Sequence, residues 1–174
     1  MNSTQATATG ERADLLESLA RQRHFLRYTT RGLTDDQARQ RTTASELSLG
    51  GLIKHVAAVE GRWARFISGG APAMGGGRRS ADPDAWSQGF RMLEDETLAG
   101  LLDAYAEAAR RTDELVATLP DLDAAHALPE APWFEPGAKW SARRVLLHVI
   151  AETAQHAGHA DIIRESLDGA KTMG

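Results

Sequence analysis

From Trp140 to Glu165 the chain reads WSARRVLLHVIAETAQHAGHADIIRE, and its 3–4 stepping of core-type positions limits the fold more than any other feature. Such stepping belongs to a helix with one buried stripe. Started at Val145, the stripe runs Val145, Val149, Glu152, His156, His159 and Ile163. Three successive rungs are ionisable, with apolar rungs above and below. Burying Glu152 without a partner would cost several kcal/mol, so the fold has to supply one. A bound cation is the simplest single partner for a carboxylate flanked by imidazoles.

Three further stretches step in the same way. Leu15, Leu19 and Leu26 mark a helix over about 11–31, stopped at Gly32. A short helical turn is expected at 34–40, with Thr34 as cap and Asp35 and Asp36 in the first turn. Leu49, Leu52, Val56, Val59, Trp63 and Phe66 mark a helix over 48–68, ended by Gly69 and Gly70. Leu98, Leu101, Leu102, Tyr105, Leu115 and Val116 mark another over 94–119, stopped by Pro120. The last helix is expected over 141–167, capped by Ser141 and closed at Gly169. No window alternates with a period of two and β-branched enrichment, so no strand is expected. The fold class that follows is all-α, a four-helix bundle. Its connections at 69–93 and 120–140 exceed the usual two to eight residues. Loops that long often line a site or permit a parallel neighbour. Residues 1–10 and 170–174 read as tails, leaving one domain over 11–169.

Composition narrows the function classes. A chain of 174 residues suits one domain with a sizeable core. The net charge is -4, so no basic field favours nucleic acid or an anionic membrane. There is no cysteine, which excludes thiolate nucleophiles and thiolate ligands and leaves any metal to His, Asp or Glu. The polar N-terminus lacks an apolar signal core, and no stretch approaches the roughly 18 apolar residues of a membrane span. The expectation is a cytoplasmic protein acting on a small molecule. Small bundles with apolar faces often dimerise, so a homodimer is an expectation with no surface assigned.

Residues four apart on a helix are offset by about 40° and about 6 Å along the axis. Glu152 and His156 can therefore reach one ion, and His148 and Glu152 share that spacing. His156 and His159 also sit close enough to pair. One helix comfortably supplies two ligands, so a third comes from elsewhere. His55 lies beside the apolar stripe of the second long helix. Two imidazoles and a carboxylate form the ligand set of a catalytic zinc site or a non-haem iron site, with a position left for water or substrate. Glu60 follows His55 by about a turn and is placed either to orient it or in solvent.

The segments Gly51–Val56, Glu60 and Trp63, then Trp140–Ser141, Leu147–Val149 and Glu152–Asp161, resemble the DinB-like superfamily. That resemblance covers about 11–169. It implies an up-down-down-up bundle, which accounts for the long connections. It also implies one divalent metal, zinc first, with nickel or iron as alternatives, held by His55, Glu152 and His156. Many members carry a histidine where Glu152 stands. The same histidine, glutamate, histidine set occurs in the related mycothiol-dependent maleylpyruvate isomerase, to which this chain is similar in the metal domain alone. His148 and His159 are left facing the ligands or the substrate.

Three functions are compatible with such a site. The first is a transferase using a low-molecular-weight thiol as cosubstrate, activated as the metal-bound thiolate. In it His159 or His148 moves a proton, and Trp86, Trp133 and Phe134 wall the substrate pocket. The second is a hydrolase that activates water. The third is a non-catalytic or stress-associated protein whose metal ties two helices together.

Overall fold

A computed structural model describes residues 10–75 and 88–172. Residues 1–9 and 173–174 of the expected tails, and the stretch 76–87 with Trp86, lie outside the described residues.

The described residues form helices α1 (Glu11–Tyr28), α2 (Asp35–Arg39), α3 (Leu49–Gly69), α4 (Leu98–Thr118) and α5 (Ala142–Asp168). A 3₁₀ turn, Ala71–Met74, follows α3. Local chemistry sets the helix starts. Thr34 and Gln37 form a capping box at α2, and Ser48, Thr97 and Ser141 accept from Gly51, Gly100 and Arg144 backbone N–H groups at α3, α4 and α5. Each such cap contributes on the order of 1 kcal/mol. Gly169 closes α5 in the left-handed region at φ 78°, where a side chain would strain the backbone.

Long-range contacts fix the helix directions. Arg143 near the start of α5 pairs with Glu11 at the start of α1, and Arg164 near its end bonds the Thr29 and Arg31 carbonyls, so α1 and α5 run parallel. Arg12 reaches the Val116 carbonyl, so α4 opposes α1. His55 meets Glu152 whereas Trp63 stacks on Trp140, so α3 opposes α5. The bundle is thus up-down-down-up, as the resemblance implied. No helix among the described residues is long and apolar enough to cross a membrane.

Two apolar clusters fill the bundle. One gathers Leu19, Phe66, Val116 and Val145, the other Leu26, Leu52, Tyr105 and Ile163. Near their boundary lies a buried polar layer of Arg23 on α1, Glu60 on α3, Thr112 on α4 and Thr153 on α5.

Several sequence expectations need correction. Helix α1 ends at Tyr28 rather than 31, because the Thr29 and Thr30 hydroxyls donate back to the Leu26 and Arg27 carbonyls. Helix α4 begins at Leu98 rather than 94, because Thr97 caps it and Asp35 accepts the Leu98 N–H. A small antiparallel ribbon is present where no strand was expected: β1 (Ala125–Ala127) pairs with β2 (Lys139–Ser141), His126 opposite Trp140. Neither strand has a β-branched residue. Tertiary closure of the long connection aligns them, with the Ile67 carbonyl accepting from His126 Nε2 at 3.2 Å.

Candidate metal centre

Ser48 starts α3 so that His55 falls in its second turn, on the side facing α5. On α5, Glu152 and His156 stand one turn apart. The three side chains converge. Glu152 Oε1 lies 3.3 Å from His55 Nε2 and 3.4 Å from His156 Nε2. One potential ligand atom from each lies within 4.8 Å of the others. Two atoms bound about 2.1 Å from a tetrahedral ion sit about 3.4 Å apart, so the donor set and its spacing fit a divalent cation.

The electrostatics agree. Hydrogen bonds from His156, then His55, hold the Glu152 carboxyl far below the ordinary carboxylate range and outweigh its partial burial. It is an anion at any physiological pH. His156 turns its Nδ1 toward His159 Nδ1, 3.4 Å away, which fixes the ring plane and leaves Nε2 for Glu152 and an ion.

The phase of α5 differs from the expected stripe. Its buried face runs Val145, Val149, Thr153, His156, Ala160 and Ile163. Thr153 and Ala160 replace Glu152 and His159, which sit half-exposed on the shoulder. An α-helix drifts against a fixed 3–4 pattern, and small residues let α5 pack closely on α1. The triad therefore lies at the edge of the core, with Glu152 open to solvent on one side (24% exposed).

Glu60 also differs from both expected placements. It is fully buried, and its carboxylate takes two hydrogen bonds from Arg23, at 2.6 and 3.2 Å. Arg23 spends its third nitrogen on Asp113 of α4. Arg23 thus ties α1 to Glu60 of α3 and Asp113 of α4, and the Glu60 carboxylate is turned to Arg23 rather than to His55.

His148, one turn before Glu152, packs edge-on against Trp63 and Trp140 at 5.0 and 5.2 Å. Burial lowers its pKa despite the nearby Glu152, so it is neutral at pH 7. Phe134 sits against Trp140 at 5.6 Å, and Trp133, 60% exposed, touches Phe134. Those two therefore reach His148 through Trp140.

Phe90 was missed as a site residue. Its ring stacks on His55, centroids 3.8 Å apart and planes within 19°. Its approach depends on the Gly50-Gly51 pair: a Cβ on Gly51 would collide with the Phe90 carbonyl, and one on Gly50 with Met92. That glycine pair in the first turn of an otherwise apolar helix was the available sequence signal.

Residues 14–169 match the family model for mycothiol-S-transferase. The chain belongs to that family. It is one of the DinB-like superfamily, in line with the resemblance carried by the α3 and α5 motifs. No match is found among curated proteins. The family match covers all of α3 and α5, the two helices that contribute the triad.

Proposed function

We propose that this chain is a metal-dependent transferase that passes mycothiol, or a closely related low-molecular-weight thiol, to a small electrophile. The convergence of His55, Glu152 and His156, in a chain of the mycothiol-S-transferase family, carries the reading. A divalent cation there, zinc before nickel or iron by the donor set, would hold the thiol as thiolate near neutral pH. The protein's own residues do the rest. Glu152 supplies the negative charge that an ion needs, and it stays ionised through its two imidazole neighbours. His159 holds the His156 ring in its ligating orientation. Phe90 covers one face of His55 and keeps water from it. His148, neutral and one turn away, accepts the proton that the thiol releases. Trp133 and Phe134 form the outer wall of the proposed pocket.

Elemental analysis of untagged protein, with turnover measured with and without thiol, tests the reading. Expected are one metal per chain, its loss in His156→Ala, and conjugation that requires thiol. Ester or amide hydrolysis without thiol would replace the transferase with a hydrolase. Protein that takes up no metal under divalent supply would refute both.

A further inference from the structure

The metal centre opens onto a face shared by α3 and α5. Because these helices are antiparallel, the face runs from His55, Glu152 and His156 to His148, then to Arg62 on α3 and Arg144 on α5. His148 is about 6 Å along the axis from Glu152, and Arg144 about 6 Å further. Trp140 and Trp63 stack with planes within 18°, and the Arg144 guanidinium lies over Trp140 at 4.8 Å. That contact positions the cation and uses none of its five N–H donors.

Both guanidinium charges are felt at His148. Arginines that tie the helices together are spent: Arg23 on Glu60 and Asp113, Arg164 on Asp168 and two carbonyls, Arg143 on Glu11 and Asp123. Among the described residues, neither the Arg62 nor the Arg144 guanidinium has a hydrogen bond or ion pair. Glu152, whose charge also acts on His148, is already held by two histidines. Two cations without a partner among the described residues therefore act on His148, Arg144 over Trp140 and Arg62 next to Trp63 in the chain, about two helix turns from the metal ligands.

We infer that Arg62 and Arg144 recognise a carboxylate on the molecule whose reactive atom sits at the metal centre. The inference rests on the proposed transferase activity only for which molecule that is. The carboxylate is placed on the electrophile, roughly 10 Å from the reacting atom by helical rise. Guanidinium planes suit a carboxylate through paired N–H donors.

The test uses a probe that ligates metal whether or not a thiol does. Suberic acid monohydroxamate and its primary amide are titrated calorimetrically into zinc-loaded wild type, Arg62→Gln, Arg144→Gln and the double variant. Expected is roughly tenfold tighter binding of the acid to wild type, the size of one charge-assisted contact. In the double variant the preference vanishes and the affinity for the amide is unchanged. Equal binding of both probes to wild type overturns the inference, as does a preference that survives in the double variant. A second arm locates the carboxylate. N-acetylcysteine is compared with its amide as thiol, and 4-maleimidobutyrate with its amide as electrophile. Collapse of the electrophile pair's kcat/KM ratio in the double variant supports the assignment, and collapse of the thiol pair's ratio or of neither overturns it. An acid preference retained without thiol-dependent turnover refutes the transferase reading and leaves the arginine pair standing.

Discussion

Gly51→Ala sets two opposing effects against each other in one helix turn. Alanine in place of glycine within a helix stabilises by at most about 1 kcal/mol. At Gly51, however, the new Cβ would meet the Phe90 carbonyl oxygen at 1.9 Å and its carbon at 2.6 Å, where ordinary contact begins at 3.4 Å. The obstacle is backbone, which no rotamer change removes. The segment carrying Phe90 has to retreat, and the stack on His55 is lost with it. Overpacking of this kind costs about 1–3 kcal/mol, so the net result is a destabilisation of about 1–2 kcal/mol. Gly61→Ala is the internal control, since its Cβ meets only the tip of Arg65 at 3.7 Å. That variant gains about 0.5–1 kcal/mol from helix propensity alone. Urea unfolding at constant m reads both, and chelator competition reads the metal affinity, which falls in Gly51→Ala and holds in Gly61→Ala. A Gly51→Ala protein as stable as Gly61→Ala would refute the account of how Phe90 is seated.

Other outcomes follow from the same geometry. Arg23→Met strands the buried Glu60 carboxylate and costs about 3–5 kcal/mol in urea unfolding, whereas Arg23→Met with Glu60→Met recovers most of the loss. Metal at a hundredfold excess over its dissociation constant adds about 2.7 kcal/mol of stability; the matching rise in Tm, read by calorimetry, disappears with chelator and is absent in His156→Ala. His159→Ala lowers metal affinity about 10- to 100-fold by chelator competition while one metal per chain still binds at saturation. Burial alone would raise the Glu96 pKa, but hydrogen bonds from Lys54 and the Leu93 N–H bring it below its ordinary value. A folded-state pKa below the unfolded one stabilises above the unfolded value and is lost as pH falls through the folded one. The wild-type urea midpoint therefore declines more steeply below about pH 4.5 than that of Lys54→Met, whose Glu96 has lost its main partner.

Much of the site was legible in the sequence because its information is local. Glu152 and His156 are four residues apart, and any helix places such a pair side by side. His55 stood out because it lies beside the apolar stripe of a long helix. The phase of α5 was less legible, since Thr153 and Ala160 are small enough to look neutral in a hydrophobic pattern while lying on the buried face. Glu60 was misplaced for a different reason. Its partner Arg23 lies 37 residues away, and no local rule joins them.

The sequence by itself determined four long amphipathic helices, their caps, and a carboxylate-imidazole pair within one helical turn, because backbone hydrogen bonding and side-chain periodicity act over a few residues. Tertiary structure alone decided that Phe90 lies on His55, that a three-residue ribbon closes the 120–140 connection, and that Trp63 stacks on Trp140. Those contacts join parts of the chain far apart in sequence. They are selected by packing and by the loop-closure entropy that packing overcomes, and neither is written in any one segment.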